Sequence, residues 1–364
     1  MPRQIRAAIC VAINKPQQIV EVTLADPGPG QVLIKLIATG LCHSDQHVLD
    51  GSHQTALPII LGHEGIGEVI EIGEGVEDFA VGDRVIPFLI PDCGKCALCL
   101  SGRTNLCAEF QARMASPTTP FSIDGQPVNQ YMGIGSFAEM TVVQADMLTK
   151  VSGQADPSQA CCIGCGVTTG IGAAIISAKV SPGSSVAVFG TGGVGLSVIQ
   201  GARLAGATTI IAVDINEAKR RVALELGASH FVNPNEVDNS VEEVRRLTGM
   251  GADYTFECVG NAALARQSLE ASNPMWGVSV CVGIMPSGTE VSTPPSSLMM
   301  GRQWTGSFMG GAKRADVGRF VEMFLAGEYS LDMFVSHRLK LEEINHGFEL
   351  MKSGEAVRSV VEFA

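Results

Sequence analysis

From about Pro182 onward the chain alternates short apolar runs with stretches of helical periodicity, and this rhythm restricts the available folds more than any other feature. The apolar runs are "SSVAVFG", "TIIAVD", "YTFECVG" and "GVSVCVGIM". The stretches between them include "VGLSVIQGARLAGA", "NEAKRRVALELGA" and "AALARQSLEASN". Strands that alternate with helices form βαβ units, in which the strands lie parallel in one sheet. The sequence therefore predicts a doubly wound α/β domain in this region.

A glycine-rich turn joins the first of these strands to the helix that follows it. Gly190, Gly192 and Gly195 in "VAVFGTGGVG" form a G-x-G-x-x-G motif. The first glycine permits a tight bend, the second lets a pyrophosphate approach the backbone, and the third lets the helix pack on the strand. The helix N-terminus, with Gly193 and Val194 in its first turn, offers free N–H groups and a positive dipole end to phosphates. The motif predicts a dinucleotide site, and a purely structural turn is the alternative.

An acidic residue ends the second strand of the same domain. Asp214 directly follows "TIIAV", where a carboxylate can accept hydrogen bonds from a ribose diol and would repel a 2′-phosphate. Lys219, one helical turn further along the chain, is placed to contact the same ribose. The two residues favour NAD over NADP as the coenzyme, and a surface aspartate without a ligand is the alternative.

The region before this domain has a different texture. Between Met1 and about Gly153, short β-type runs such as "QVLIKLIAT" and "FAEMTVV" are separated by Gly, Pro and Asp turns. This pattern predicts a mostly antiparallel, partly barrel-like domain. The final part of the chain holds two amphipathic helical stretches and the apolar strand "RSVVEFA". Because 364 residues exceed what one hydrophobic core usually serves, we expect two domains.

Charge and composition exclude several classes of partner. A net charge of −12 leaves no basic surface to neutralise phosphates, so neither nucleic acid nor an anionic membrane is an expected partner. The apolar stretch near the N-terminus is short and lacks a small-residue cleavage site, which favours a strand over a signal peptide. The uncharged run from Cys161 to Ala178 contains glycines and threonines that make it a poor membrane span. Eleven cysteines, an odd number, indicate reduced thiols and metal ligands, and we expect a cytoplasmic protein.

Four cysteines lie within the fifteen-residue stretch "CGKCALCLSGRTNLC". They are Cys93, Cys96, Cys99 and Cys107. Four thiolates on one compact loop can close a tetrahedral shell around zinc, which leaves no open position and is typical of a structural site. A redox C-x-x-C pair and four unliganded thiols are the alternatives.

A second set of candidate ligands is dispersed along the chain. Cys42 occurs in "GLCHSDQH", His63 in "LGHEGIGEV" and Cys165 in "IGCGVTTG". Two thiolates and one imidazole that leave the fourth position open form the ligand set of a catalytic zinc ion. The spacing alone does not join three such distant residues, and each one singly could be an ordinary buried thiol or core histidine.

Six motifs taken together resemble those of the zinc-dependent, medium-chain alcohol dehydrogenases. They are "GLCHSD", "GHEGIGEVIEIGEGV", "CGKCALCLSGRTNLC", "GCGVTTG", "GTGGVG" and "AVDIN". The similarity continues through "GRQWTGSFMGG" to "AVRSVVEF" and covers essentially the whole chain. It implies a GroES-like, mostly-β catalytic domain over 1–166 and 308–364, interrupted by a Rossmann NAD-binding domain over 167–307. It also implies two zinc ions per chain, one catalytic at the dispersed set and one structural at the four cysteines.

The resemblance implies roles for further residues around the catalytic metal. Asp45 would orient His63, and Glu64 would lie behind the ion. Ser44 and His47 would relay the substrate proton to solvent. An exposed surface histidine is the alternative interpretation of His47.

The resemblance also implies contacts with the coenzyme. His43 and Arg358 would face the pyrophosphate, and Thr169 and Val194 would pack against the nicotinamide. The alternatives are an ordinary salt bridge for Arg358 and core packing for Val194.

The implied reaction is the oxidation of a small-molecule primary alcohol to its aldehyde, and the reverse. Zinc would act as a Lewis acid on the substrate oxygen. The proton would leave through Ser44, a ribose hydroxyl and His47, and a hydride would pass to the nicotinamide.

Several positions depart from the pattern of the family's glutathione-dependent formaldehyde dehydrogenases. Gln111 occupies the place of an arginine that grips the adduct's carboxylate, although Arg113 is close, and His53 stands near the place of a pocket aspartate. Leu89 replaces a frequent phenylalanine, and Ser44 is the smaller of the two usual relay hydroxyls. The residues at 111 and 53 disfavour glutathione adducts, whereas Leu89 and Ser44 make room for a bulky substrate, either aromatic or long-chain aliphatic.

Other interpretations stay open. A thiol-dependent formaldehyde dehydrogenase is the alternative enzyme, and it would use glutathione or another low-molecular-weight thiol. Two further interpretations are an enzyme whose tightly held nicotinamide is recycled by an external acceptor and a non-catalytic member of the superfamily. The long segment from Glu109 to Gly135 favours a homodimer over a tetramer, with "WGVSVCVGIM" as an edge-strand interface.

Overall fold

The computed structural model describes residues 2–115 and 118–363. Its strands are, in chain order, β1 (Arg3–Cys10), β2 (Gln18–Leu24), β3 (Gln31–Gly40), β4 (Ile59–Ile60), β5 (Glu64–Ile72), β6 (Arg84–Pro87), β7 (Phe121–Ile123), β8 (Gln126–Gln130), β9 (Met140–Gln144), β10 (Leu148–Lys150), β11 (Ser185–Phe189), β12 (Thr209–Val213), β13 (His230–Val232), β14 (Tyr254–Glu257), β15 (Val278–Cys281), β16 (Gln303–Gly306), β17 (Val335–Leu339) and β18 (Arg358–Glu362).

The α-helices connect and cover these strands. They are α1 (His43–Leu49), α2 (Ala97–Leu100), α3 (Ala108–Ala115), α4 (Pro157–Ala160), α5 (Gly166–Gly172), α6 (Gly193–Leu204), α7 (Arg220–Glu225), α8 (Ser240–Thr248), α9 (Ala262–Ala271), α10 (Ser296–Met299), α11 (Arg314–Leu325) and α12 (Ile344–Ser353).

The chain forms two compact units. The first unit consists of Met1–Cys165, Lys313–Gly327 and Leu331–Ala364. The second unit consists of Gly166–Ala312 and Glu328–Ser330. The C-terminal part of the chain therefore belongs to the same unit as the N-terminal part.

The first unit is built from a barrel and a sheet. Strands β1, β2, β7, β8 and β4 form a closed barrel, and a seven-stranded sheet runs in the order β10-β6-β5-β3-β18-β17, with β9 also paired to β3. Strand β3 contributes side chains to both hydrophobic cores of the unit, because Leu33 packs in one and Ile34 in the other. Burial on both faces explains why the sequence of β3 is almost continuously apolar.

The register of this sheet brings three chain segments together. The end of β3 pairs with the start of β5, with Gly40 opposite Glu64. On its other side β3 pairs antiparallel with β18, with Gly40 opposite Val360. Residues that follow β3, begin β5 and begin β18 are therefore neighbours in space.

The second unit contains a six-stranded sheet in the order β13-β12-β11-β14-β15-β16. All five strand pairs are parallel. The central strands β11 and β12 are almost entirely buried, and their sequences are the apolar runs "SVAVF" and "TIIAV". The predicted α/β class, with a mostly-β first part and a doubly wound parallel sheet, is confirmed.

The prediction that "WGVSVCVGIM" forms an edge strand is wrong. Strand β15, which lies within "WGVSVCVGIM", pairs with β14 on one side and with β16 on the other, so it is an internal strand. The edge of the sheet at this end, among the described residues, is β16. Three of the four residues of β16 are polar or glycine and three are exposed, so the segment gives no apolar strand pattern in the sequence.

In the part of the chain that the structure describes, no single helix combines the length and the apolar character needed to cross a membrane. Two consecutive helical segments, Pro157–Gly164 and Gly166–Ser177, reach that length and composition only when they are taken together as a bent pair.

Candidate active site and metal centres

The three dispersed ligands predicted from the sequence lie together in the first unit. One ligand atom from each of Cys42, His63, Glu64 and Cys165 lies within 4.8 Å of the others, and all four residues are buried. Cys42 follows β3, His63 precedes β5, and Cys165 follows the short helical turn Cys161–Gly164. The pairing of β3 with β5 accounts for the meeting of Cys42 with His63.

A glycine makes room for the carboxylate in this cluster. A Cβ atom added at Gly40 would lie 2.3 Å from Oε2 of Glu64. No other residue type therefore fits opposite Glu64 without displacing its side chain.

Asp45 fixes the orientation of the histidine. Its Oδ1 atom lies 3.2 Å from Nδ1 of His63 and accepts a hydrogen bond of 2.9 Å from the backbone N–H of Gly62. Its Oδ2 atom accepts a hydrogen bond of 3.2 Å from the backbone N–H of Cys42. A carboxylate at Nδ1 places the ring proton there, so the lone pair of Nε2 faces the cysteines.

The donor set fits a bound metal cation. Nε2 of His63 is buried and has no hydrogen-bond partner among the described residues. The thiol of Cys165 donates to Cys42, which lowers the pKa of Cys42 well below its ordinary value and raises that of Cys165. Two cysteine sulfur atoms and the unpartnered Nε2 of His63 form a donor set that a zinc ion can bind once these groups release their protons.

Charge balance around the cluster depends on Asp45 and Arg358. Burial alone would lower the pKa of His63, but the charges of Asp45 and Cys42 outweigh it and raise this pKa well above its ordinary value. Burial raises the pKa of Glu64, although Arg358 acts in the opposite direction. The buried site therefore holds several ionisable groups whose charges depend on one another.

Arg358 lies beside this cluster. Its Nη2 atom lies 3.5 Å from Oε1 of Glu64, and its Nη1 donates a hydrogen bond of 2.8 Å to the backbone carbonyl of Leu41. Neither carboxylate oxygen of Glu64 has a hydrogen-bond partner among the described residues. The structure thus gives Arg358 a carboxylate neighbour within its own unit, and its coenzyme contact stays a prediction.

The predicted proton relay residues lie on α1, directly after Cys42. The Oγ atom of Ser44 lies 3.8 Å from Sγ of Cys42. Nδ1 of His47 is buried without a hydrogen-bond partner among the described residues, whereas His43 is exposed. These positions bring Ser44 next to the metal cluster, and the relay itself stays a prediction.

One aromatic residue beside the cluster was missed by the sequence analysis. The ring of Tyr131 lies 5.8 Å from the ring of His63, centroid to centroid, in an edge-to-face arrangement at 75°. Its hydroxyl donates a hydrogen bond of 3.2 Å to the backbone carbonyl of Ser44. Burial raises the pKa of Tyr131, so the hydroxyl keeps its proton. Tyr131 stands in a turn without any motif, and no signal in the sequence points to it.

The four clustered cysteines also converge. Ligand atoms of Cys93, Cys96, Cys99 and Cys107 all lie within 4.8 Å of one another. The Sγ atoms of Cys93 and Cys99 are 3.9 Å apart. Backbone N–H groups of Ala108 and Cys99 donate to Sγ of Cys96 over 3.5 and 3.4 Å, and they lower the pKa of Cys96 to about 6. Four sulfur atoms at these distances, one already stabilised as a thiolate, fit a tetrahedral zinc ion.

The positions that depart from the thiol-dependent pattern have distinct environments. Gln111 is exposed on α3, and His53 is exposed as well. Arg113 forms a bidentate ion pair with Asp146, with N···O distances of 2.7 and 2.6 Å. Leu89 is buried. The guanidinium group of Arg113 is therefore already paired with a carboxylate of its own unit.

In the second unit the glycine turn has the form that a pyrophosphate needs. Gly190 has a φ of +91°, and a Cβ atom added at Gly195 would lie 1.8 Å from the carbonyl oxygen of Gly190. A Cβ atom at Gly192 would meet no atom within 4 Å. The first and third glycines are thus required by the fold, whereas Gly192 borders open space at the start of α6, where a phosphate can approach the backbone.

Asp214 is tied to this turn. Its Oδ2 atom accepts hydrogen bonds of 2.7 and 2.8 Å from the backbone N–H and the hydroxyl of Thr191, and lies 3.2 Å from Nζ of Lys219. Its Oδ1 atom accepts a hydrogen bond of 2.9 Å from the backbone N–H of Asn216. The sequence analysis missed Thr191, although its place between Gly190 and Gly192 is a signal that could have identified it.

Thr169 and Val194 lie where two helices of the second unit meet. A Cβ atom at Gly170 would lie 2.4 Å from the carbonyl oxygen of Val194, so α5 and the first turn of α6 are in close contact. The hydroxyl of Thr169 donates to Sδ of Met309 over 3.6 Å. Both predicted nicotinamide residues are therefore next to the glycine turn.

Two family models match the chain. The model described as "Alcohol dehydrogenase GroES-like domain" matches residues 28–153, and the model described as "Zinc-binding dehydrogenase" matches residues 193–326.

Curated relatives match along almost the full length. The S-(hydroxymethyl)glutathione dehydrogenase of Synechocystis sp. is 45% identical over 366 residues, which cover 98% of this chain and 99% of the relative. The class-3 alcohol dehydrogenase of Cereibacter sphaeroides is 46% identical over 375 residues, again covering 98% of this chain and 99% of the relative.

Solved structures have the same fold over their whole length. An alcohol dehydrogenase zinc-binding domain protein from Burkholderia ambifaria superposes with a TM-score of 0.95 at 34% identity, with complete coverage of both chains. The benzyl alcohol dehydrogenase of Acinetobacter calcoaceticus superposes with a TM-score of 0.92 at 29% identity, also with complete coverage. These matches and the two zinc-type clusters confirm the resemblance read from the sequence: the chain belongs to the zinc-dependent, medium-chain alcohol dehydrogenase family.

Proposed function

We propose that this enzyme is a zinc- and NAD-dependent dehydrogenase that oxidises the S-(hydroxymethyl) adduct formed by formaldehyde and a low-molecular-weight thiol. The observation that carries this proposal is the name shared by relatives that are 45% and 46% identical over 98% of the chain, S-(hydroxymethyl)glutathione dehydrogenase. These relatives support the thiol-dependent alternative better than the bulky primary alcohol that the sequence analysis favoured.

The reaction is a two-electron oxidation. The hydroxymethyl carbon of R–S–CH₂–OH loses a hydride and its oxygen loses a proton, which gives the thioester R–S–CHO. NAD⁺ becomes NADH, and the proton is released to water. The reverse reaction would reduce the same carbonyl group.

Cys42, His63 and Cys165 would hold the zinc ion, which supplies a Lewis acid for the substrate oxygen when it is bound. Asp45 holds the His63 ring with Nε2 directed at the two sulfur atoms. Because all these side chains are buried, water has little access to the ligands and the charges interact strongly.

Ser44 would accept the proton of the substrate hydroxyl. Its Oγ atom lies 3.8 Å from Sγ of Cys42, next to the position where the substrate oxygen would be polarised. His47, three residues further on in α1, would take up the proton at its buried, unpartnered Nδ1, and the imidazole would pass a proton on towards solvent. Once the substrate hydroxyl has given its proton to Ser44, the hydride leaves the substrate carbon more easily.

The second unit would bind the coenzyme, whose nicotinamide accepts the hydride when NAD is bound. The open space at Gly192 and the N-terminus of α6 suit the pyrophosphate. The carboxylate of Asp214 at the end of β12 suits the ribose diol and disfavours an additional phosphate there. Thr191 and Lys219 hold this carboxylate in place.

Oxidation of an aromatic primary alcohol is the second candidate. It is favoured by the complete superposition with a benzyl alcohol dehydrogenase. The ion pair of Arg113 with Asp146 also favours it, because a guanidinium that is already neutralised offers less to the carboxylates of glutathione.

We further propose that two copies of the chain form a homodimer through β16. This strand ends the parallel sheet, and its outer edge has no strand partner among the described residues. An unpaired strand edge can pair with the same edge of a second copy.

We also propose a cytoplasmic location. The eleven cysteines are all free thiols in the structure, and six of them belong to the two metal clusters. Thiols remain available as metal ligands where the environment is reducing.

The test is a comparison of NAD reduction rates by the zinc-loaded protein. The four substrates are formaldehyde with glutathione, formaldehyde with the carboxylate-free thiol 2-mercaptoethanol, formaldehyde alone and benzyl alcohol. The proposal expects the highest kcat/KM with one of the two thiol mixtures and little activity with formaldehyde alone. A rate with formaldehyde that is independent of thiol would overturn the proposal, and a kcat/KM that is highest with benzyl alcohol would overturn it in favour of the second candidate.

A further inference from the structure

Tyr131 is held rigidly beside the metal cluster of the first unit. It starts the short turn Tyr131–Gly133 after β8, and its carbonyl oxygen accepts N–H hydrogen bonds of 2.9 Å from Ile134 and 3.1 Å from Gly135. The buried amide of Gln130 donates to the carbonyl oxygens of Ile134 and Val142 over 3.1 and 3.0 Å. These hydrogen bonds fix the backbone from which the Tyr131 side chain extends, and the contacts of its ring and hydroxyl fix the side chain.

The ring of Tyr131 restrains the imidazole from the side. The hydrogen bond between Asp45 and Nδ1 of His63 is 3.2 Å long, which exceeds the usual 2.7–2.9 Å of a charge-assisted bond. This contact by itself permits some rotation of the imidazole. The edge-to-face contact of Tyr131, at 5.8 Å between centroids and 75°, lies in the favourable range for aromatic pairs and opposes that rotation.

The hydroxyl of Tyr131 restrains a different element. It donates to the backbone carbonyl of Ser44 in the first turn of α1. A helix of seven residues has little stability of its own, so its position depends on contacts with the surrounding structure. Tyr131 is buried as a whole, and a residue needed only to fill this space could be phenylalanine.

From these contacts we propose that Tyr131 is a positioning residue that couples the orientation of His63 to the position of Ser44. Its ring acts together with Asp45 to set the direction of Nε2 in the metal site, and its hydroxyl sets the distance of the Ser44 side chain from Cys42. The inference concerning Ser44 rests on the proposed function, whereas the inference concerning His63 concerns the metal site alone.

Two variants of Tyr131 separate the two contacts. Tyr131→Phe keeps the ring beside His63 and removes the hydrogen bond to Ser44. Tyr131→Leu removes both contacts. The matched control is Tyr329→Phe, which removes the hydroxyl of another fully buried tyrosine, one that lies in the second unit.

We expect Tyr131→Phe to lower kcat about fivefold with KM nearly unchanged, as for loss of one hydrogen bond that acts on the proton-accepting hydroxyl. In cobalt-substituted protein, Tyr131→Leu should shift the visible absorption bands of the metal and speed metal loss to a chelator about tenfold. Tyr329→Phe should change neither readout, and Tyr131→Phe should keep the wild-type cobalt bands.

Either of two results would overturn the coupling. The first is a kcat of Tyr131→Phe equal to that of Tyr329→Phe. The second is a cobalt spectrum of Tyr131→Leu identical to that of the wild type. A wild-type protein without dehydrogenase activity would contradict the proposed function, and the cobalt spectrum would still decide whether Tyr131 orients His63.

Discussion

Oδ1 of Asp45 lies 3.2 Å from Nδ1 of His63, and both side chains are almost completely removed from solvent. Asp45 belongs to α1, which directly follows Cys42, so a single helix carries a metal ligand at its start and the partner of a second ligand one turn later. The same carboxylate accepts the N–H groups of Cys42 and Gly62. Asp45 therefore joins two of the three ligand-bearing segments.

Asp45→Asn should weaken metal binding at the Cys42, His63 and Cys165 cluster by roughly ten- to a hundredfold, because an amide neither carries the charge nor fixes the same histidine tautomer. The measurement is zinc retention against a graded chelator. Asp50→Asn, at the C-terminal end of the same helix, is the control and should keep wild-type retention. Equal retention in both variants would contradict the role given to Asp45.

Cys99→Ala should release one zinc ion per chain, because three thiolates leave the tetrahedral shell incomplete. The other ion should stay at the cluster that contains His63, which shares no residue with the four cysteines. Elemental analysis of the purified variant gives the count. Cys10→Ala, which removes a buried thiol outside both clusters, should retain two ions. Two ions in Cys99→Ala would show that the shell is wrongly assigned.

Asp214→Gly should lower the ratio of kcat/KM with NAD to kcat/KM with NADP by at least about tenfold, since the carboxylate repels a 2′-phosphate. The ratio is measured on one substrate at fixed ionic strength. Asp253→Asn removes a carboxylate from the second unit that hydrogen-bonds to Ser185 at the start of β11, and it should leave the ratio unchanged. An unchanged ratio in Asp214→Gly would rule out this role.

The same aspartate predicts a pH dependence of stability. Burial would raise the pKa of Asp214, but Lys219 and the N–H groups of Asn216 and Thr191 outweigh it and hold this pKa below its ordinary value. The stabilisation is therefore fully present above the unfolded pKa of about 3.9 and is lost as pH falls through the lower folded pKa.

Asp214→Asn should accordingly reduce the free energy of unfolding by about 2 kcal/mol near neutral pH, the scale of a hydrogen bond to a charged group. Thermal unfolding of the coenzyme-free protein measures the difference in Tm from pH 8 downwards. We expect a constant difference down to about pH 5 and a shrinking one below about pH 4. A difference that grows towards low pH would show that the charged form is not the stabilised one.

Features could be predicted from the sequence when the residues that form them lie close together in the chain. The four cysteines converge because they share one short loop, and the glycine turn works because a strand precedes it and a helix follows. The meeting of Cys42 with His63 depends on the pairing of β3 with β5, and only the resemblance to a family predicted that these two residues and Cys165 lie together.

Contacts made by isolated residues could not be predicted in this way. Tyr131 reaches Ser44 across 87 positions of the chain, and Arg113 reaches Asp146 across 33. Neither pair has a spacing or motif that marks it. The edge strand β16 was missed because its exposed residues are mainly polar or glycine, whereas the apolar β15 beside it has neighbours on both sides.

The most direct test of the central claim is the zinc content of His63→Ala, measured together with thiol-dependent NAD reduction and NADH binding. If Cys42, His63 and Cys165 hold the ion on which the chemistry depends, the variant retains only the zinc of the four cysteines, loses NAD reduction and still binds NADH. Two zinc ions per chain with a wild-type rate would contradict the account.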